Sequence, residues 1–226
     1  MWVFKSVVGN RYLATNPKVL GSTLLQQRTL SRFTSKKRYI HFLLKELNTN
    51  FGPEYVMLVR NPYLRIESYF KEKLRQKVRM VFDEAKPYVL KRHQEIFYPY
   101  LGLKQSDPLE AKVASLLQFS FKDFVARIPE VYIVEDHLTP QTLNFTRTIM
   151  GVQYTMKMNR YVHVENRKEM EWLANRFELD LSIRVNSTSS EASEMIEWDS
   201  ESVAIVRKIY VRDFQILGYD VDYPKS

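Results

Sequence analysis

Two stretches of the 226-residue chain carry side chains able to grip phosphate. In the first, Arg11-Tyr-Leu-Ala-Thr15 leads into Asn16-Pro-Lys-Val-Leu-Gly-Ser-Thr23, which offers Lys18, Gly21 and the hydroxyls of Ser22 and Thr23 ahead of a helix. A lysine, a glycine and free backbone amides in such a turn form a cradle for an anion. A plain strand, turn and helix capped by Ser22 or Thr23 fits the same residues equally well. In the second, Arg60 closes the apolar run Glu54–Val59, and Ser68 follows roughly two helical turns into the next element. An arginine at the mouth of a sheet and a helix hydroxyl can hold another phosphate bidentately. Taken alone, Arg60 reads better as a structural residue paired with a carboxylate. No G-x-x-x-x-G-K-[ST] pattern occurs in the chain, so neither stretch is a nucleoside-triphosphate P-loop.

The elements that must position these residues follow from periodicity and punctuation. Arg11–Thr15 reads as a short strand that Asn16-Pro17 ends, because proline cannot continue a hydrogen-bond ladder. A helix is expected through Leu24, Leu25 and Leu30, and another over 36–47, where Tyr39, Leu43 and Leu47 form one stripe. Glu54–Val59 reads as a strand covered on both faces, with Pro62 in the first turn of the following helix. From there to about Gly102 the chain reads as mostly helical, basic and tyrosine-rich. Val131-Tyr-Ile-Val134 is a further candidate strand, and Thr139-Pro140 is expected to open a helix that Gly151 closes. The last helix is capped by Asp199, stapled by Trp198 and Val203, continued by Val206, Tyr210, Phe214 and Leu217, and stopped by Gly218. This alternation predicts an α/β fold with a central, mostly parallel sheet flanked by helices, whose ligands bind at the carboxyl ends of the strands.

Composition sets the outer bounds. Hydrophobic residues make up 45% and aromatics 13%, enough for a core, and no repeat or linker divides the chain, so one domain over 1–226 is expected. No apolar run approaches the length of a membrane span, and the start lacks the stretch of a signal peptide, so a soluble protein without a membrane partner is expected. Zero cysteines exclude a disulfide scaffold, a thiolate zinc site and a cysteine nucleophile, and point to a reducing cytoplasm. The net charge of +8 is uneven: residues 1–93 hold 19 basic and 6 acidic side chains, the remainder 15 and 20. The basic half suits an anionic ligand, although a solvated face around 71–91 accounts for many of its charges.

Together the two stretches resemble a known family. Pro17-Lys18-x-x-Gly21-Ser22-Thr23 looks like the 5'-phosphosulfate loop of sulfotransferases, and Arg60-x-Pro62-x-x-Arg65-x-x-Ser68 looks like their 3'-phosphate motif. Arg207-Lys-Ile-Tyr210-x-x-Asp213-Phe214-x-x-Leu217-Gly218-Tyr219 is similar to the closing helix of the carbohydrate-type (family 2) members, and Val185-Asn186-Ser187 resembles the loop before it. Two positions depart from the family pattern: Leu20 replaces a residue that is often small, and Glu67 sets a carboxylate beside Ser68. Both point to a variant pocket or weak cofactor binding.

The resemblance implies a P-loop-like sulfotransferase fold and a defined reaction. The donor would be 3'-phosphoadenosine 5'-phosphosulfate (PAPS), the product adenosine 3',5'-bisphosphate (PAP), and the transfer an in-line passage of a sulfuryl group to a hydroxyl, or less readily an amine. Lys18, with amides of Leu20, Gly21, Ser22 and Thr23, would stabilise charge on the leaving phosphate. Arg60 and Ser68 would hold the 3'-phosphate, with Arg184 and Ser187 covering the nucleotide. Related enzymes draw a general base from the stretch ahead of the 3'-phosphate strand, where His41 stands, with Glu46 second. His93, His137 and His163 are isolated in sequence and carry no ligand spacing, so no metal is expected. The acceptor would be a carbohydrate or small metabolite, with 71–110 as an acceptor-side elaboration and Tyr88, Tyr98 or Tyr100 as stacking surfaces. Three other readings remain: a nucleic-acid-binding module using the basic half, for which no recognition motif is present, a phosphoryl-transfer enzyme with a degenerate loop, against which the missing Walker pattern and the lack of an obvious magnesium carboxylate beside Ser22 count, and a catalytically inactive nucleotide-binding relative.

Overall fold

A computed structural model describes residues 2–7, 9, 11–16, 19, 21–32, 54–149, 152–155, 158–182 and 196–223. Within it the chain forms two compact units, Met1–Asn61 with Gln141–Ser187, and Pro62–Pro140 with Thr188–Ser226.

Among the described residues the first unit contains every strand: β1 (Trp2–Ser6), β2 (Arg11–Thr15), β3 (Leu30–Arg32), β4 (Glu54–Val59), β5 (Thr146–Ile149), β6 (Val152–Thr155) and β7 (Arg160–His163). Five of them form one sheet in the order β3-β1-β2-β4-β7. The β2–β4 and β4–β7 pairings are parallel, whereas β1 pairs antiparallel with both β2 and β3. Four of the five strands therefore share a direction and β1 alone opposes them. The α/β class and the largely parallel sheet are as expected, but the sheet is mixed.

Side-chain alternation explains the core of this unit. Leu13, Val56, Leu58 and Val162 pack with Phe4 against Leu173 and Phe177 of the helix Arg167–Phe177. That helix starts where the Asn166 side chain accepts from the Glu169 amide at 3.2 Å, an N-cap. Residues one step out of phase, Tyr12 and Tyr55, are paired in register and stack at 5.1 Å.

The second unit is helical. The helix Pro62–Tyr69 runs into a π-helical stretch, Phe70–Gln76, followed by short turns to Phe82. The helices Leu109–Gln118, Phe121–Val131, Ser200–Ile209 and Val211–Leu217 share with it a core rich in rings, among them Tyr69 and Phe124, which stack at 5.7 Å. Ser120 caps Phe121–Val131 by accepting from the Asp123 amide at 3.0 Å. Asp199 caps Ser200–Ile209 as expected, accepting from the Ser202 amide at 2.7 Å, and Gly218 ends Val211–Leu217 with a φ of 73°. The chain breaks between those two helices at Tyr210, so the expected single helix is two.

Three expectations fail for identifiable reasons. Val131–Val134 is the end of a helix and a turn: Phe121, Phe124, Val125, Ile128 and Val131 form a helical stripe that buries Val131, leaving Ile133 73% exposed. In place of the expected helix over 139–151 stand a 3-10 turn, Gln141–Phe145, and the antiparallel pair β5–β6, while Gly151, expected to close the helix, lies outside the described residues. The helix after Gly21 spans only Gly21–Leu24, and Leu30 begins β3. The expected helix over 36–47 lies outside the described residues.

Candidate functional site

The carboxyl ends of β2, β4 and β7 lie side by side in one sheet, and β2 and β4 are adjacent. The two stretches singled out in the sequence thus begin at neighbouring strand tips on one edge. At the β2 tip, the Thr15 hydroxyl donates to the Val19 carbonyl and the Val19 amide donates to the Asn16 carbonyl at 3.1 Å, folding the chain back on itself. Asn16 is fully buried, and its Oδ1 has no partner among the described residues.

A residue with no motif of its own joins these tips. Gln141, fully buried, accepts from the Arg60 amide at 3.0 Å and donates to the Arg60 carbonyl at 2.7 Å through the same side-chain amide. Its own carbonyl accepts from Asn16 Nδ2 at 3.4 Å. The next peptide is held as well, because the Asn61 amide donates to Glu165 Oε1 at 2.9 Å. At the β7 tip, Glu169 accepts from the His163 amide at 2.7 Å and faces its Nδ1 at 2.9 Å. Burial alone would push Glu169 up, but the hydrogen bonds and charge of His163, with the charge of Arg160, hold it below its ordinary value.

The individual site residues fall as follows. Lys18, Leu20, His41, Arg184 and Ser187, together with Glu46 and Asn186, lie outside the described residues. The backbone of Gly21 and Ser22 opens the short helix Gly21–Leu24, and Thr23 within it is buried. Arg60 follows β4 in the first unit and is half-buried; Ser68, also half-buried, sits on Pro62–Tyr69 in the second. Arg65 is a packing residue. It is 1% exposed and donates to the Thr139 carbonyl at 2.9 Å and the Asp136 carbonyl at 3.3 Å. Glu67, which stood out as a carboxylate beside Ser68, is engaged elsewhere: it accepts from Trp198 Nε1 at 2.7 Å and from the Tyr223 hydroxyl at 2.8 Å. Burial and the Glu67 carboxylate push the Tyr223 phenol up to about 12.

The three tyrosines expected to stack a sugar carry cations instead. Lys77 and Lys91 lie 5.4 and 5.5 Å from the Tyr88 ring centre, Arg127 lies 5.3 Å from that of Tyr100, and Lys112 lies 5.7 Å from that of Tyr98, itself buried. His93 and His137, isolated in sequence, meet across Glu135. Sequence reasoning missed this group and Gln141 alike, because their partners are 42 and 81 residues away.

A partly parallel α/β sheet with adjacent strand tips belongs to a class whose ligands bind at the carboxyl edge. The chain belongs to the sulfotransferase family: the family model with that description, of the family 2 type, matches residues 22–220. Arg60, Ser68, Arg184, Ser187 and His41 fall inside the matched range, and Lys18 and Leu20 precede it. No curated protein and no solved structure matches the chain significantly. Among the described residues, no helix is long and apolar enough to cross a membrane.

Proposed function

We propose that this chain is a PAPS-dependent enzyme that transfers a sulfuryl group to a hydroxyl of a carbohydrate or small metabolite. The observation that carries the reading is the family match, reinforced by the adjacency of β2 and β4, from whose tips both phosphate-suited stretches depart. Lys18 and the amides of Leu20 to Thr23 hold the 5'-phosphosulfate, in a loop that does the work of a P-loop without its pattern. Arg60 and Ser68 take the 3'-phosphate, and Arg184 and Ser187 cover the nucleotide. In the transfer, the acceptor oxygen bonds to sulfur as the bond from sulfur to the 5'-phosphate oxygen breaks. The acceptor proton passes to His41, and Lys18 neutralises the charge left on the phosphate.

Gln141 gives this reading a positioning device. By holding both the amide and the carbonyl of Arg60, it fixes the backbone from which the guanidinium extends, so that less freedom is lost on binding. The region 71–110 is the acceptor side of a single domain, with the lysines around Tyr88 favouring an anionic acceptor. The absence of cysteine supports a cytoplasmic site of action.

The test is a thermal-shift titration with PAP, with adenosine 5'-monophosphate as control, followed by release of PAP from PAPS in the presence of candidate hydroxyl acceptors. PAP should raise Tm in a concentration-dependent way and the monophosphate should do so much less. No stabilisation by PAP overturns the reading. Stabilisation without turnover over a broad acceptor panel assigns the chain to nucleotide binding without catalysis.

A further inference from the structure

The second unit holds a side-chain cluster that sulfuryl transfer does not use. His93 comes from the short helix Arg92–Glu95, and Glu135 and His137 from the turn after Phe121–Val131. His93 Nδ1 lies 3.0 Å from Glu135 Oε2, and His137 Nδ1 lies 2.5 Å from Glu135 Oε1. The two imidazoles stand edge to face with centroids 4.7 Å apart. One donor atom from each of the three residues falls within 4.8 Å of the others.

Two imidazoles and one carboxylate are the donor set of zinc-class ions: borderline nitrogen donors with a charged oxygen. Donors bound tetrahedrally to one such ion, at about 2.0–2.2 Å, stand a little over 3 Å apart. The cluster closes onto an ion by side-chain shifts on the order of 1 Å. Glu135 is 3% exposed at its side chain, whereas His93 and His137 keep 26% and 22%, so an ion held on the buried carboxylate has a solvent-facing position left for a further ligand.

The surrounding chain holds the three residues in place. The Tyr69 hydroxyl donates to the His93 carbonyl at 2.9 Å, and Arg92 Nη2 donates to the Val134 carbonyl at 3.1 Å, tying the two segments together. Gln94 Nε2 donates to the Lys73 carbonyl at 2.6 Å, fixing the helix that carries His93. The neighbouring cation Lys73 has its own counter-ion in Glu72 at 2.7 Å. These ties hold the backbone that carries the three side chains, which keeps their donor atoms close together.

We propose that His93, Glu135 and His137 form a binding site for a divalent transition-metal ion of the zinc class, separate from the proposed sulfuryl-transfer site. The test uses the full chain, stripped with a chelator and titrated with Zn2+ and Co2+ by calorimetry and absorption, with no nucleotide present. One equivalent should bind, Zn2+ should raise Tm, and Co2+ should give visible bands of a nitrogen- and oxygen-ligated ion. Glu135→Gln, which keeps the shape of the side chain, and the double change His93→Ala with His137→Ala should each weaken binding by about 100-fold or more, since loss of even a hydrogen-bond partner of a ligand costs about 10–100-fold. Broadening of the His93 and His137 ring resonances by Co2+ in the unaltered protein reads the ligands even if a variant fails to fold. No saturable uptake, uptake unchanged in folded variants, or ring signals untouched by Co2+ would each overturn the proposal and leave the cluster as a hydrogen-bonded triad. None of these readouts depends on whether PAPS binds.

Discussion

The side chain of Gln141 pairs with the peptide of Arg60 as a second backbone would, one bond to the amide at 3.0 Å and one to the carbonyl at 2.7 Å. The tip of β4 is thereby hydrogen-bonded beyond the last ladder residue, and the 3-10 turn Gln141–Phe145 is fastened to the sheet edge. Gln141→Ala strips both bonds from the half-buried Arg60 peptide, at up to about 1–3 kcal/mol for each bond lost. Thermal melts should show a fall of roughly 2–4 °C for each kcal/mol in a chain of this size. Gln141→Glu keeps the acceptor but loses the donor to the Arg60 carbonyl, and should also melt below the unaltered protein. A melting point unchanged in Gln141→Ala would show that the clasp contributes nothing.

Lys18→Ala should abolish nearly all sulfuryl transfer while leaving Tm within a degree or two, because a loop lysine serves chemistry rather than packing. Turnover from PAPS and circular dichroism, measured on the same preparation, check both halves. Retained turnover would remove Lys18 from the mechanism.

The two motif arginines should separate cleanly. Arg60→Ala should raise the KM for PAPS with little change in Tm, whereas Arg65→Ala should lower Tm, because it strands the carbonyls of Thr139 and Asp136 around a buried void. A change confined to the acceptor KM in Arg60→Ala would contradict the 3'-phosphate role.

Acid should loosen the β7 end of the sheet. The folded-state pKa of Glu169 is depressed, so its contribution is fully present above the unfolded carboxyl value near 4.5 and is lost as pH falls through the lower folded value. The charged or titratable groups facing it are His163 and Arg160, both on β7, and the Asn166 side-chain amide donates to its Oε1 at 3.2 Å. Denaturant melts from pH 6 down to pH 3 should show a steeper loss for the unaltered protein than for Glu169→Gln. Equal slopes would mean that the carboxylate is not coupled to folding.

What could be read in the sequence was local. β2 and β4 are compact apolar runs ended by Asn-Pro, and their burial made them legible together with the stretches they carry. β7 was not legible, since Arg160–His163 buries only Val162 and its place is set by pairing with β4 across a hundred residues. Val131–Val134 misled because β-branched residues suggest a strand, yet the helical stripe before them claimed Val131 and left the rest in water. The same distance effect hid the site's supports. Gln141 has no periodicity to betray it, and the carboxylate that His93 meets, Glu135, stands 42 residues further along the chain. Glu67 looked like a hazard to a phosphate only because its true partners, Trp198 and Tyr223, lie at the other end of the chain.

The π-helical stretch Phe70–Gln76 bears on how this chain tolerates insertions and deletions. Its wide turns absorb residues that an ordinary helix would spend on advancing, and they deliver the buried Arg75 guanidinium to the carbonyls of Leu116 and Phe119, at 3.1 and 2.6 Å. Loss of one residue there would rotate everything downstream by about 100° and swing Arg75 away from the end of the neighbouring helix. Length in this segment is therefore under tighter constraint than side-chain identity, and lineages of this enzyme should vary in letters there long before they vary in count.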